Sequence, residues 1–447
     1  MSDAAAIVQS DTLVVGLGAT GLSVARHLAS RGETFAVTDT REAPAGLARL
    51  AEIPGSDTAW TGPLTALEPG RWRRIIVSPG VPVTLPELAR AAAPGAEIFG
   101  DIELFARNVR RPVLGITGSN GKSTVTALAG ALLAAEGHRV AVGGNFGTPA
   151  LDLLDQDAEL YVLELSSFQL ETTHSLAAAS AAILNLSADH LDRYADMAAY
   201  AAAKARILQG ARRIVLNRED PVVVRLGAGR DAVTFGLDEP PGPEDFGILE
   251  RGAEPWLVRG AMPLLAAGDL ALHGRHNWLN VLAALALCWH WLDEPARWKP
   301  VLKTFAGLPH RSRPVGRHRG VDYIDDSKGT NVGATLAAIR GVAGPLILIA
   351  GGQGKGQDFT PLADALVGKA RGVVLLGTDA AAIAQTLGGR VPVRIVDSMD
   401  DAVAGAAAWA EPGDTVLLSP ACASLDMFAN YAERGERFAA AVRGLKA

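Results

Sequence analysis

A glycine-rich segment with one lysine lies at residues 117–124 and has the composition of a phosphate-binding loop. It reads Thr-Gly-Ser-Asn-Gly-Lys-Ser-Thr, follows a β-type run and precedes a helical stretch. In such a loop the backbone amides surround phosphates, the lysine neutralises them, and one of the hydroxyls of Ser123 and Thr124 binds Mg²⁺. The pattern departs from the common one, because Ile116 stands five places before Gly121 where a glycine is usual. The predicted phosphate site comprises Gly118, Ser119, Asn120, Gly121, Lys122, Ser123 and Thr124.

A second glycine-rich turn, Gly16–Gly21, also follows an apolar strand and opens a helix. Glycines permit the tight turn, and the helix amino terminus offers free N–H groups to a phosphate. Asp39 ends the next strand, at a spacing suited to a ribose hydroxyl. The turn predicts a diphosphate nearby and leaves the nucleotide open, with a nicotinamide cofactor or a ligand-free tight turn as alternatives.

Three further residues have types suited to a metal site. Glu164 lies where a parallel strand ends beside the phosphate loop, a position for magnesium or water or for a helix amino-terminal acid. His190 follows another strand, where a structural role is equally open. Lys204 shares the apolar stripe of a helix predicted from about Met197 to Leu208, so it must snorkel, pair or lose its charge. An uncharged amine at Lys204 could capture carbon dioxide, and the resulting carbamate would ligate metal.

Polar clusters continue towards the carboxyl terminus. Asn277 and Asn280 are one helical turn apart and either face one ligand, such as an adenine edge, or serve as caps. Two loops follow strands and therefore lie at the binding edge of a last sheet. A loop with glycines and one lysine suits a carboxylate or phosphate. The clusters of this region are His310–Arg311, Asp325–Asn331, Gly351–Lys355 and Ser419–Ser424.

The elements that position these residues alternate short β-type runs with Ala/Leu-rich helical stretches, which indicates βαβ units and largely parallel sheets. We predict three α/β domains in series: residues 1–99, 100–307 and 308–447. The first and last are Rossmann-like, and the central one is of the P-loop ATPase type with a mostly parallel sheet. Weaker β-signals between Val233 and Leu272 predict a hairpin extension that covers the second sheet.

Composition excludes several classes of protein. The 447 residues include 49% hydrophobic and 20% charged residues, too apolar for a disordered chain. The net charge of -6 argues against nucleic-acid binding. Two distant cysteines fit a reducing compartment. Because the sequence has no apolar run of about 18 residues and its first residues do not resemble a signal peptide, we expect a cytoplasmic protein without a membrane span.

Taken in order, these motifs resemble the Mur ligases of bacterial cell-wall synthesis over nearly the whole chain. The resemblance implies ATP and Mg²⁺, with two ions expected, and a first domain that binds uridine diphosphate rather than a nicotinamide. One branch of the family, which adds D-glutamate to UDP-N-acetylmuramoyl-L-alanine, matches best, and a monomer is expected. The motifs that carry the resemblance are the 117–124 loop, Leu163–Thr173, Gly307–Arg311, Asp326–Asn331 and Ser419–Asp426.

The same resemblance implies roles for individual residues. The UDP-sugar would contact Gly18, Ala19, Thr20, Asp39, Thr40, Arg41, Asn145 and Gln169. The nucleotide would contact the phosphate loop together with Asn277, Asn280, Arg311 and Asp326. The metal and catalytic set would be Lys122, Ser123, Thr124, Glu164, His190 and a carbamylated Lys204. Glutamate would contact Thr330, Lys355, Ser424, Leu425 and Tyr431.

Two positions depart from the family pattern: Arg313 stands where an acid or Gln is common, and Tyr431 where Phe is common. The implied reaction passes through an acyl phosphate, and the third domain is expected to close around ATP. Three alternatives stay open at this stage. They are a nicotinamide dehydrogenase, a nucleotide-gated binding module without turnover, and a ligase resembling folylpolyglutamate synthase.

Overall fold

The computed structural model describes residues 10–252, 254–272 and 274–445, and it places three β-sheets in chain order. The first sheet is fully parallel with the strand order β3-β2-β1-β4-β5, the doubly wound arrangement predicted for this part of the chain. Its strands are β1 (Thr12–Val15), β2 (Phe35–Asp39), β3 (Ser56–Thr61), β4 (Trp72–Val77) and β5 (Ala92–Gly100). Its helices are α1 (Ala19–Ser30), α2 (Leu47–Leu50), α3 (Pro86–Ala91) and α4 (Asp101–Asn108).

The second sheet has nine strands in the order β14-β13-β12-β11-β10-β9-β6-β8-β7. Its strands are β6 (Val113–Thr117), β7 (Val140–Gly144), β8 (Leu160–Glu164), β9 (Ser180–Ile183), β10 (Ile214–Asn217), β11 (Val233–Phe235), β12 (Phe246–Arg251), β13 (Glu254–Arg259) and β14 (Met262–Ala266). Its helices are α5 (Lys122–Ala135), α6 (Ser167–Glu171), α7 (Met197–Ala205), α8 (Pro221–Leu226), α9 (Arg275–Cys288) and α10 (Pro295–Thr304).

The third sheet has the order β15-β16-β20-β17-β18-β19 and is parallel except for its edge pair β15–β16. Its strands are β15 (Arg313–His318), β16 (Val321–Asp325), β17 (Leu346–Ala350), β18 (Ala370–Leu375), β19 (Val393–Ile395) and β20 (Thr415–Leu418). Its helices are α11 (Val332–Gly341), α12 (Thr360–Leu366), α13 (Ala380–Leu387), α14 (Met399–Trp409) and α15 (Tyr431–Arg443). The prediction of three α/β units with mostly parallel sheets is confirmed, while the exact domain boundaries stay a prediction.

The segment between Val233 and Leu272 is where the predicted arrangement was wrong. Strands β12, β13 and β14 form an antiparallel meander that lengthens the second sheet at its edge and does not cover its face. The physical reason is that β12 pairs with β11 in parallel, so the hairpin partners continue the same hydrogen-bonded ladder. The helix predicted from Met197 to Leu208 ends at Ala205 and continues as a 3₁₀ turn over Arg206–Leu208.

Helices α1 and α4, which flank the first sheet, contact the central domain through polar side chains. Arg26 on α1 forms an ion pair with Asp152, with Nη2 and Oδ2 2.6 Å apart. Glu103 on α4 accepts hydrogen bonds from the backbone amides of His174 and Ser175 at 2.7 and 2.9 Å. In the part of the chain that the structure describes, no helix has the length and hydropathy needed to cross a bilayer.

Asp101 gives this junction a pH dependence that can be measured. It is 3% exposed and accepts a hydrogen bond from Nε2 of Gln169 at 3.1 Å. Burial raises its pKa from 3.8 to about 6, so between these values the folded state binds more protons than the unfolded chain. The contribution of Asp101 to the free energy of unfolding is therefore fully present below about pH 4, and it is lost as the pH rises through about 6.

We expect Asp101→Asn to remove this pH-dependent loss. The shift in the pKa of Asp101 corresponds to about 3 kcal/mol in the free energy of unfolding. Urea unfolding at several pH values between 4 and 7 measures it as a difference between variant and parent that grows with pH. Asp326→Asn is a second test of the same argument, because burial raises the pKa of Asp326 to about 6 as well, and its difference from the parent should grow with pH in the same way. Parallel stability curves for parent and Asp101→Asn would contradict the prediction.

Candidate active site

The phosphate loop lies between β6 and α5, as the sequence predicted for a strand–loop–helix junction. Helix α5 begins at Lys122, so the last three residues of the 117–124 segment form its first turn. Gly121 precedes the helix with a φ of +84°, and a Cβ there would lie 2.4 Å from Oδ1 of Asn280. Only glycine fits this left-handed, crowded position. The loop is therefore held against α9, which carries Asn280.

Lys122 and Lys204 converge on one backbone carbonyl of the loop. Nζ of Lys122 donates to the Gly118 oxygen at 2.8 Å and to the Ser119 oxygen at 2.9 Å. Nζ of Lys204 donates to the same Gly118 oxygen at 2.9 Å. Lys204 is 2% exposed, and burial, followed by the charge of Lys122, lowers its pKa well below the ordinary value. Burial also lowers the pKa of Lys122. The surroundings thus favour an uncharged, nucleophilic amine on Lys204.

Glu164 is the last residue of β8 and points at the start of α5. Its Oε2 accepts a hydrogen bond from the Ser123 hydroxyl at 2.5 Å, and its Oε1 accepts one from Nδ2 of Asn145 at 2.7 Å. Arg311 of the third domain donates to the Ser123 oxygen at 2.7 Å. The structure therefore joins four predicted residues from four chain segments: the phosphate loop, two strand ends and the 307–312 connection.

His190 has a left-handed backbone, with a φ of +56°, and its ring lies among aromatic side chains. The centroid of Phe168 is 4.7 Å away in an edge-to-face arrangement, and that of Tyr200 is 6.5 Å away. Burial lowers the pKa of His190, although Asp189 acts in the opposite direction. The imidazole is therefore mostly neutral at pH 7, as a metal ligand or proton acceptor requires.

Glu164, Ser123, Asn145, His190, Lys204 and the phosphate loop line one cavity of about 280 Å³. Hydroxyl, carboxylate and amide oxygens are the donors that Mg²⁺ prefers, so the residues fit this ion. Among the described residues, no three His, Cys, Asp or Glu side chains are grouped as a metal site. A metal here would thus need the Ser123 hydroxyl, a phosphate, water or a modified Lys204 to complete its ligands.

A second cavity opens on the other side of the loop and fits the predicted nucleotide residues. It is lined by Asn277, Asn280 and Asp326, among others. Nδ2 of Asn280 donates to Oδ1 of Asn277 at 3.0 Å, and α9 begins at Arg275, so Asn277 is inside the first turn and does not cap the helix. Oδ2 of Asp326 accepts a hydrogen bond from the Ser419 hydroxyl at 2.7 Å.

The predicted glutamate residues separate into two groups. Thr330 and Lys355 line the 280 Å³ cavity. Ser424 is buried, Leu425 is 67% exposed, and the ring of Tyr431 lies 4.0 Å below Nζ of Lys328. None of these last three predicted contacts lines the cavity in this conformation. Their roles stay predictions.

The Gly16–Gly21 turn joins β1 to α1, as predicted, and its diphosphate role stays a prediction. Helix α1 begins at Ala19 after Gly18, and no side chain caps its amino terminus. Oδ2 of Asp39 accepts a hydrogen bond from the Leu17 amide at 2.7 Å, and Arg41 binds both carboxylate oxygens of Asp39. The Arg41 hydrogen bond holds the pKa of Asp39 at about 2. Thr40 follows β2 directly, at the same edge.

Gln169, predicted to contact the UDP-sugar, also has a structural role in the fold. It is 3% exposed, and its amide is engaged with Ser166 and Asp101. Its Oε1 and the Ser166 hydroxyl form the capping box of α6. Gln169 thus holds the start of this helix and its contact with the first domain, and direct contact with a sugar nucleotide stays a prediction.

Family comparisons cover most of the chain. Residues 10–100 match the Mur ligase MurD-like N-terminal domain, residues 116–288 the Mur ligase middle domain, and residues 310–422 the Mur ligase glutamate ligase domain. The chain belongs to the Mur ligase family. Arg313, one of the two departures from the family pattern, is an exposed residue at the start of β15 and pairs with Asp325 across the strands.

Individual Mur ligases align over almost their full length. The UDP-N-acetylmuramoylalanine--D-glutamate ligase of Pseudomonas aeruginosa is 52% identical over 442 residues, 97% of this chain and 98% of that protein. The enzyme of the same name from Chromohalobacter salexigens is 51% identical over 438 residues, 96% of each. The UDP-N-acetylmuramate-alanine ligase MurC of Thermotoga maritima shares the fold, with a TM-score of 0.62 at 20% identity over 97% of this chain and 99% of that chain.

The cavities contain residues that sequence reasoning did not select. Lys328 lines both of them, and burial lowers its pKa to about 8. Tyr200 faces Nζ of Lys204 at 4.7 Å and shares a hydrogen bond with the Ser119 hydroxyl. Lys328 belongs to the polar cluster Asp325–Asn331, and membership of this cluster could have identified it as a site residue from the sequence. Tyr200 had only the signature of a core residue on the apolar stripe of α7.

Proposed function

We propose that this chain is an ATP-dependent ligase that joins D-glutamate to the alanyl carboxylate of UDP-N-acetylmuramoyl-L-alanine, releasing ADP and phosphate. The observation that carries the proposal is the meeting of Lys122, Ser123, Glu164 and Lys204 in one cavity that residues of the third domain also line. The choice of substrates is supported by relatives about half identical to this chain that carry that name. Action as a monomer stays a prediction.

In the first step an oxygen of the alanyl carboxylate attacks the γ-phosphorus of ATP, and the bond to the ADP oxygen breaks. The difficulty is to bring anions together. Lys122 lies in the phosphate loop and Arg311 donates to the Ser123 hydroxyl oxygen, so both reduce the repulsion and hold the transferred phosphoryl group. Mg²⁺ bound by Ser123, Glu164 and the neighbouring residues would supply further positive charge. The product is an acyl phosphate.

In the second step the amine nitrogen of glutamate attacks the acyl carbon, a tetrahedral intermediate forms, and phosphate leaves with the bonding electron pair. The amine must lose a proton. His190 borders the same cavity and has a lowered pKa, which makes it a candidate acceptor. Lys355, Thr330 and Lys328 come from the third domain and provide cations and a hydroxyl for the glutamate carboxylates.

The test is phosphate release from ATP with UDP-N-acetylmuramoyl-L-alanine and either D- or L-glutamate. We expect release that depends on the sugar nucleotide, on Mg²⁺ and on the D-isomer. Release with the L-isomer alone would keep the ligase chemistry and overturn the substrate. A folate substrate in place of the sugar nucleotide is the control for the folylpolyglutamate alternative, and NAD binding is the control for a dehydrogenase.

A further inference from the structure

The start of α11 touches the phosphate loop through a side chain that the proposed chemistry does not use. Asn331 precedes this helix and is 3% exposed. Its Oδ1 accepts a hydrogen bond from the Ala334 amide at 2.8 Å and so caps the helix. Its Nδ2 donates to Oδ1 of Asn120 at 3.2 Å and to Oδ2 of Asp189 at 3.1 Å. Both donated bonds therefore cross from the third domain to the central domain.

The two acceptors belong to separate loops of the phosphate site. Asn120 is part of the phosphate loop, and its own amide nitrogens tie it to Asn185 and Ser187 after β9. Asp189 belongs to the segment that continues from there to His190. One side chain of the third domain thus contacts the loop that would hold phosphates and the segment that carries a candidate metal ligand.

Gly333, in the first turn of α11, is a second place where this helix closely approaches the central domain. A Cβ at Gly333 would lie 2.7 Å from the Ser187 oxygen and 3.0 Å from the Ser187 Cβ. Such distances are shorter than side chains tolerate. The absence of a side chain therefore lets the first turn of α11 approach the central domain closely.

The docked helix also forms part of the nucleotide cavity. Ala334, Ala337 and Ala338 line it opposite Asn277 and Asn280 of α9. If α11 moved away from the phosphate loop, the cavity would lose one wall. A nucleotide that uses this wall would bind the docked arrangement better than an open one.

We propose that Asn331 is a positioning residue that fixes the third domain against the phosphate loop and thereby raises the affinity of the chain for nucleotide. The inference rests on the nucleotide-binding role proposed above. Because nucleotide affinity falls in proportion to the fraction of docked molecules, weakening this contact weakens binding without removing any nucleotide contact.

The test uses Asn331→Asp in the full chain. Aspartate caps a helix as well as asparagine does, but it has no donors and places a second negative charge beside Asp189. We expect the Kd for ADP, measured by calorimetry, to rise about tenfold, since hydrogen bonds to a charged acceptor are of that strength. Small-angle scattering should show less contraction on ADP binding than in the parent. The thermal unfolding midpoint should stay close to that of the parent.

Two further variants make the test decisive. Gly333→Ala introduces a Cβ against Ser187 while favouring the helix, and it should raise the Kd for ADP in the same way. Asn430→Asp changes the exposed cap of α15 with the same chemistry and should leave the Kd unchanged. If ADP binds the parent and both interface variants with the same Kd, the positioning role of Asn331 is overturned, while the proposed function stands. If the parent does not bind ADP, the proposed function and this inference both fail.

Discussion

Replacing Lys122 with alanine is expected to lower kcat/KM for ATP-dependent phosphate release by about 10³-fold, the scale on which one preorganised charge acts on a developing anion. The Lys122 side chain donates to the Gly118 and Ser119 carbonyls at the amino terminus of α5. It is therefore already positioned where phosphate oxygens would sit. Lys122→Arg should recover only part of the rate, because a planar guanidinium does not fit two carbonyls spaced for a point charge.

Steady-state phosphate release, with thermal unfolding as a folding check, measures this effect. Lys303→Ala is the matched control, since Lys303 pairs with Asp269 on the surface and such exposed pairs contribute little. Turnover of Lys122→Ala within tenfold of the parent would show that another cation neutralises the transferred phosphoryl group. Arg311, which already contacts Ser123, would be the first residue to examine.

The sequence predicted the parts of the site that depend on local patterns. The phosphate loop, its strand and its helix follow from glycine positions and hydrophobic periodicity, and the observed β6 and α5 have that form. The apolar stripe at helical spacing likewise placed Lys204 on the core-facing side of its helix, with snorkelling and pairing left open, and the structure buries this side chain. In each case residues close in sequence determine the result.

Contacts between domains could not be predicted on this basis. Asn331 donates to Asn120 across 211 positions, and nothing in either segment marks the pair. The prediction that the Val233–Leu272 segment covers the second sheet was wrong for a related reason. A β-type run shows that a strand forms, but pairing of β12 beside β11 is decided by the edge of a sheet assembled from distant segments. The contact of the Gln169 amide with Asp101, 68 positions away, likewise could not be predicted from the sequence.

Lys204→Ala is expected to lower phosphate release by about 10³-fold as well, for a different reason. The Lys204 amine is buried, is close to the charge of Lys122 and therefore favours the neutral form that reacts with carbon dioxide. A carbamate formed there would be an anion on a side chain bordering the same cavity as Glu164 and His190. Its negative charge would attract Lys122, whereas the unmodified Lys204 amine shares the Gly118 carbonyl with Lys122.

Three measurements separate this role from simple loss of a lysine. Parent protein in ¹³C-bicarbonate should give a carbamate resonance that is absent from Lys204→Ala and Lys204→Arg. Formate or acetate should partly restore turnover to Lys204→Ala, because a small carboxylate can occupy the vacated space, and should not restore it to Lys204→Arg, where the side chain still fills it. Lys122→Ala should not respond, since it lacks a cation rather than an anion. A parent without the resonance, together with an active Lys204→Arg, would mean that Lys204 acts only by holding the Gly118 carbonyl, a task that arginine can also perform.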